Sequence, residues 1–303
     1  MSDIKVFRIS NKGATELRGY SVALEKSLQT LIEKYLDTFL GVRFLASEYS
    51  TGKTHAGRID TLGIDENRCP VIIEYKRALN ENVISQGLYY LDWLLDHKAE
   101  FTLLVMKALG SDVSNTIEWS SPRLLCIAGD FTKYDEHAVK QMNRNIELVR
   151  YRRFDDDLLL FELVNATTAQ GTATQAPSPK QAKSQYKTVT ELLGQAKSDL
   201  RDLYESLKAF LLAMGDDVQL NTLKYYLAFK RLKNFACVEV HPSSGKLLVY
   251  VKVDPDTVEL KANFTRDVRY VGHYGTGDLE IIINSHDGLE AAKPLLIQSY
   301  EAS

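Results

Sequence analysis

The chain has 303 residues and a net charge of −3, with 37 Lys and Arg set against 40 Asp and Glu. At about 150 residues per domain this leaves room for two domains, each long enough to bury a core. The charge balance excludes a protein that coats nucleic acid by bulk electrostatics but leaves room for a local basic groove.

Cys69, Cys126 and Cys237 are widely separated and form no CxxC pair. They therefore support neither a zinc ribbon nor a redox motif nor a disulfide framework, and a reducing cytoplasm is the natural setting. Residues 1–10 lack the apolar core and cleavage site of a signal peptide, and no apolar run is long enough to span a bilayer.

Apolar residues at helical spacing predict an amphipathic helix over residues 17–40, stopped by Gly41. Strands are expected at 42–49, 58–64 and 71–76, with turn material at Asp65, Glu66 and Asn67. Asn80 is placed to cap a helix running to about His97. Strands at 101–106 and 124–128, a helix at 134–144, and strands at 146–151 and 158–164 complete this half. Helix, strands, helix and strands in this order predict an α/β fold with a mixed sheet flanked by helices.

Residues 166–188 are rich in Ala, Thr, Gln, Ser and Pro and carry almost no large apolar side chain, so they read as a flexible linker between domains 1–165 and 189–303. The second domain reads as small and α+β. It has a helix at 190–214, a hairpin of strands 235–240 and 246–253 around Pro242 to Gly245, a strand at 279–283 and a helix at 289–300.

Residues 57–77 carry the chemistry. Asp60 lies in one strand; Glu74 and Lys76 lie near the end of the next and share a face, because strand side chains alternate. The preceding Val71, Ile72 and Ile73 suit a strand buried on both faces. A carboxylate and an ammonium leaving such a strand are costly unless paired or bound to a metal. Pairing the two strands brings Asp60 beside Glu74, and a hard cation such as Mg²⁺ relieves the repulsion of two carboxylates. Lys76 is then positioned to stabilise growing negative charge during phosphodiester hydrolysis. A structural salt bridge at a strand end is the plainer alternative.

Gly57-Arg58-Ile59-Asp60 followed by Pro70-Val71-Ile72-Ile73-Glu74-Tyr75-Lys76-Arg77 resembles the PD-(D/E)XK nuclease superfamily, and within it the NucS-like nuclease domain. The resemblance covers about residues 20–106. Ile59 stands where the motif often has proline. The resemblance implies a restriction-endonuclease-like fold and a metal-dependent DNA endonuclease using Mg²⁺ or Mn²⁺, with Asp60 and Glu74 as ligands and Lys76 as the catalytic lysine. It also implies a site role for Glu25 on the first helix and for Gln86 on the helix after the lysine strand. Glu25 is equally readable as a solvated helix residue, as is Glu33. Tyr90 and Trp93 share a helix face with Gln86 and read as core.

Lys53, Arg58 and Arg77 are the candidates for nucleic-acid backbone contacts. Arg144, Arg150, Arg152 and Arg153 read as a protected strand edge or as phosphate contacts. In the second domain, Lys224, Tyr225, Tyr226, Phe229, Lys230, Arg231 and Lys233 interleave bases with aromatics, as a single-strand binder or an ordinary amphipathic element would. Residues 272–278 are glycine-rich, which suits a tight turn or a phosphate cradle. This domain resembles a small uncharacterised domain often joined to such nucleases and sometimes labelled a transport protein, a label that the lack of a membrane segment does not support. DNA is the expected partner, and a homo-oligomer is compatible with the sequence. The alternative function is a non-catalytic nucleic-acid-binding or sensor protein retaining the nuclease fold.

Overall fold

The computed structural model describes residues 4–11, 13–20, 25–52, 56–76, 83–155, 157–167 and 187–303. Most of the expected linker, with Lys53, Arg77 and Asn80, lies outside these described residues. By packing, the chain divides into two compact units. One holds Met1–Ile64, Pro70–Asn115 and Pro122–Thr167, and the other holds Asp65–Cys69, Thr116–Ser121 and Thr168–Ser303.

In the first unit, β1 (Val6–Ser10) and β2 (Gly13–Leu17) form a separate antiparallel hairpin. The main sheet contains β3 (Gly19–Tyr20), β4 (Val42–Ser50), β5 (Arg58–Asp65), β6 (Pro70–Lys76), β7 (Arg123–Ala128), β8 (Asn145–Phe154) and β9 (Leu158–Thr167). Its order is β3-β8-β7-β6-β5-β4, with β9 also on β8. The β6–β7 and β7–β8 pairs are parallel, whereas β5–β6, β8–β9 and β3–β8 are antiparallel. Every residue of β6 and β7 is buried, which explains the continuous apolar run of Val71, Ile72 and Ile73.

The helices of this unit are α1 (Glu25–Lys34), α2 (Leu36–Leu40), α3 (Val83–Asp96), α4 (Lys98–Leu109), α5 (Ser111–Ser114) and α6 (Lys133–Lys140). A mixed sheet flanked by helices is the architecture the sequence predicts. Two elements differ. The long helix expected over 17–40 is β2, β3, α1 and α2, with a break at Tyr35 (φ −122°, ψ 27°). Gly41 does stop α2, in the left-handed conformation at φ 62°. The strand expected at 101–106 is part of α4: Phe101 and Val105, four residues apart, are buried, while Leu103 and Met106 are exposed. A short apolar run has no period long enough to separate helix from strand.

The second unit is an antiparallel sheet covered on one face by helices. Its strands are β10 (Gln219–Thr222), β11 (Leu227–Lys230), β12 (Asn234–His241), β13 (Lys246–Val251), β14 (Thr265–Asp267) and β15 (Leu279–Ile283), in the order β10-β11-β12-β13-β15-β14. Helices α7 (Val189–Gln195), α8 (Ser198–Leu212) and α9 (His286–Glu301) supply Val189, Leu203, Leu207, Leu211, Leu289 and Leu296 to the core against Phe229, Phe235, Val249 and Ile281. The single helix expected at 190–214 is two helices, because Ala196 turns to an extended conformation (ψ 143°) and is buried. The opposite face holds Cys69, Tyr226, Ala228, Cys237, Leu248, Tyr250 and Val268. Asn67 Oδ1 there accepts hydrogen bonds from Asn234 Nδ2 at 2.7 Å and from the Tyr226 hydroxyl at 2.9 Å.

These placements bear on two of the weaker sequence signals. The aromatic and basic run at 224–233 contains β11, and Tyr226 and Phe229 are core residues. The glycines at 275 and 277 answer a packing need: a Cβ at Gly275 would lie 2.5 Å from Cys237 Cβ, and one at Gly277 2.5 Å from Val251 N. Their positive φ values, 79° and 147°, also favour glycine. This loop lies flat on β12 and β13, as a tight turn does.

Gly63 performs the same service where it bears on the site. A Cβ there would fall 2.4 Å from Val42 Cγ1 and 2.9 Å from the Arg43 carbonyl oxygen. Gly63→Ala is therefore expected to destabilise the protein by about 1–3 kcal/mol through forced separation of β4 and β5. An unchanged midpoint in urea titration would show that the two strands separate without cost.

Candidate active site

The β5–β6 register runs from Ile64–Pro70 to Thr61–Ile73. Beyond it the two carboxylates take over backbone donors. Asp60 N–H donates to Glu74 Oε1 at 3.2 Å, and Tyr75 N–H donates to Asp60 Oδ2 at 3.0 Å. The acidic side chains thus tie the ends of the two strands together. Glu74 aligns with Cys126 on β7, and Lys76 with Ala128. Glu74 is buried at 1% exposure, Asp60 is half-buried, and Lys76 is buried at 5%.

Lys76 is the unusual member. It is only 5% exposed and lies on the sheet face that carries Asp60 and Glu74. A cation largely removed from water needs anions close to it, and the two carboxylates on this face supply them. The thiol of Cys126 is pushed well above its ordinary range by burial, and then by the Glu74 charge beside it.

The two faces of the sheet are held by different helices. Gly87 on α3 lies against Leu124, where a Cβ would come within 2.5 Å of Cδ1. Leu124 aligns with Ile72, so α3 covers the face that carries Glu74 and Lys76. Tyr90, one turn after Gly87, accepts hydrogen bonds from Arg58 N–H at 3.1 Å and from Gln86 Nε2 at 3.3 Å. Its ring is core, as the sequence suggests, while its hydroxyl joins α3 to the strand of Asp60.

On the other face, α1 packs against Thr61 and Tyr75. Gln29 Nε2 donates to the Asp60 carbonyl at 2.9 Å, to Glu33 Oε1 at 3.0 Å and to Ser47 Oγ at 3.2 Å. Thr61 Oγ1 donates to Glu33 Oε1 at 2.6 Å and lies 3.3 Å from the Tyr75 hydroxyl. Glu33 is therefore part of a polar network, which corrects its reading as a solvated helix residue. Burial raises the Tyr75 pKa far above the ordinary tyrosine range; among the charges that add to this, Glu33 comes first, then Asp60 and Glu74.

The structure thus brings Asp60, Glu74 and Lys76 onto one face, with Arg58 two residues before Asp60. Gln86 is exposed and reaches the strand through Tyr90. Glu25 is the first residue of α1; its side chain, like Lys53 and Arg77, lies outside what the structure describes. Asp60 and Glu74 are an all-oxygen pair suited in chemistry to a hard divalent cation. Among the described residues no group of three His, Cys, Asp or Glu side chains is placed to hold a metal.

Within the arginine cluster, Arg150 lies level with Lys76, two strands along the sheet. Arg150 is buried on β8, a strand bonded on both sides, and pairs with Asp130 and Glu162, each at 2.9 Å. Its role is structural, and neither an exposed edge nor a phosphate contact describes it. Gln29, Thr61 and Glu48 were not legible as site neighbours; the four-residue spacing of Gln29 and Glu33 on α1 was the available signal.

Tyr90→Phe keeps the ring but removes the acceptor for the Arg58 N–H. A part-buried donor left without a partner costs about 1–3 kcal/mol. Chemical denaturation should show a loss in that range, and none would mean that water replaces the hydroxyl.

Among known proteins, residues 189–303 match the family described as a domain of unknown function (DUF5655). The chain is 28% identical over 306 residues to an uncharacterized protein of Haemophilus influenzae, covering 98% of this chain and 99% of that protein. A repair endonuclease from Pyrococcus abyssi aligns with 43% of this chain and 48% of its own, at 17% identity and a TM-score of 0.28. An EndoMS–dsDNA2 complex aligns with 43% of this chain and 47% of its own, at 17% identity and a TM-score of 0.25. The chain therefore spans about half the length of those two structures. No helix among the described residues is long and apolar enough to cross a membrane.

Proposed function

We propose that this chain is a metal-dependent nuclease that hydrolyses phosphodiester bonds of DNA, with Asp60, Glu74 and Lys76 as its reacting centre. One observation supports this above the others. The half-buried Asp60 carboxylate, the buried Glu74 carboxylate and the Lys76 ammonium lie on one sheet face, where two acids can hold a cation and the lysine can meet an anion. The order of Asp60, Glu74 and Lys76 on two adjacent strands matches the motif resemblance, and it is the arrangement phosphate chemistry calls for.

Asp60 and Glu74 would hold Mg²⁺ or Mn²⁺, which when bound polarises the phosphate and lowers the pKa of water. Lys76 presents its charge to a phosphate oxygen, and its low-dielectric surroundings strengthen that interaction. The Gln29, Glu33 and Thr61 network fixes the backbone of β5 from behind. Tyr90 fixes it from the other face and orients Gln86. Glu25 is proposed as a further acidic contributor from α1, and the 189–303 segment as a nucleic-acid-binding or regulatory module.

Two variants test this reading. Asp60→Ala should weaken Mg²⁺ or Mn²⁺ binding in calorimetry; equal affinity in variant and wild type would remove Asp60 from the ligand set. Lys76→Ala should retain metal and DNA binding while cleavage falls by about 10²-fold or more, as for loss of one electrostatic stabiliser. Lys76→Arg should not restore the rate fully, because a planar guanidinium differs in shape and hydration. Wild-type protein that binds plasmid, single-stranded DNA or RNA and cuts none of them with either metal would establish the non-catalytic alternative.

A further inference from the structure

Arg58, Glu48 and Lys26 form a cluster that the reacting centre does not use. Glu48 Oε2 lies 2.5 Å from Arg58 Nε, and Glu48 Oε1 lies 3.5 Å from Lys26 Nζ. Arg58 and Lys26 are exposed, at 68% and 73% of their side-chain surface. Among the described residues the terminal Nη nitrogens of Arg58 have no hydrogen bond, so only its Nε is engaged.

The cluster is fixed to the site on both sides. The Arg58 backbone is held by the Tyr90 hydroxyl, and Arg58 lies two residues from Asp60 on the same strand face. Lys26 lies one helical turn before Gln29, which holds the Asp60 carbonyl. Glu48 itself has φ 52° within β4, a left-handed conformation that is uncommon for a side-chain-bearing residue. Such strain persists where surrounding structure imposes it, and it re-aims a side chain out of the strand pattern. Here the re-aimed carboxylate gathers two cations from two elements, leaving the cluster with a net positive charge.

We propose that Lys26 and Arg58, bridged by Glu48, bind a backbone phosphate neighbouring the one that reacts, so that the substrate is a polynucleotide held by at least two phosphates. This rests on the nuclease reading above. Nε capture by Glu48 fixes the guanidinium plane and leaves the Nη edge for a phosphate. The recognised chemistry is the phosphodiester backbone, independent of base sequence.

Fluorescence anisotropy tests it with the full chain, a labelled DNA duplex of about 20 base pairs and EDTA, titrated from about 50 to 200 mM salt. Arg58→Ala and Lys26→Ala should each flatten the slope of log K against log salt, and the double variant should flatten it by about 0.9 in all, the value of one lost phosphate contact. Glu48→Gln removes the bridging charge and should steepen the slope. A merely structural ion pair would instead lower the melting temperature in all three variants and leave every slope at the wild-type value. Wild-type slopes in Arg58→Ala and Lys26→Ala, with normal DNA binding by the wild type, would overturn the subsite and leave the nuclease reading intact. Absence of DNA binding by the wild type itself would overturn both.

Discussion

Where β5 and β6 part company, beyond Thr61 and Ile73, the backbone donors of Asp60 and Tyr75 are taken by carboxylate oxygens of Glu74 and Asp60. Carboxylates that accept backbone N–H groups make strong, charge-assisted hydrogen bonds. The same two side chains are therefore both the ends of the ladder and the acidic pair of the site. The positions of Lys76, two residues along β6, and of Arg58, two residues back on β5, follow from this closure. Removing either carboxylate loosens the strands as well as the charge pattern.

The sheet separates two kinds of support. On the α1 face, Gln29, Glu33, Thr61 and Tyr75 form a hydrogen-bonded polar layer that carries a negative charge of its own. On the α3 face, contact between Gly87 and Leu124 sets the helix close enough for the Tyr90 hydroxyl to reach β5. Glu33, Asp60 and Glu74 together bias this region against further negative charge, and each adds to the rise of the Tyr75 pKa that burial chiefly causes. A cation is the species such a field favours, and the Lys76 ammonium next to it favours an anion.

The strands that carry Asp60, Glu74 and Lys76 were legible because they are short, bounded by turn residues and, in β6, continuously apolar. The alternation of Glu74 and Lys76 required only the two-residue period of a strand. The identity of α4 was hidden because Phe101 to Met106 shows no contrast between polar and apolar positions within a single helical turn. The split of α7 from α8 was hidden because nothing local in Ala196 announces that tertiary packing will bury it. The Tyr90 hydroxyl and the positive φ of Glu48 are long-range facts, set by β5 lying against α3 and β4. Arg150 misled because sequence shows charge but not the partners Asp130 and Glu162 that it meets on folding.

Cys69, Cys126 and Cys237 are free and buried, and burial holds the thiols of Cys126 and Cys237 protonated, the latter with a pKa pushed up to about 11. Thiolates rather than thiols react with oxidants and alkylating agents. Burial therefore protects these two thiols from both, although Cys126 sits beside Glu74 in the middle of the sheet. An alkylating probe would mark Cys126 only in molecules whose β6–β7 pairing had opened. The chain carries its own gauge of breathing at the place where its proposed chemistry occurs.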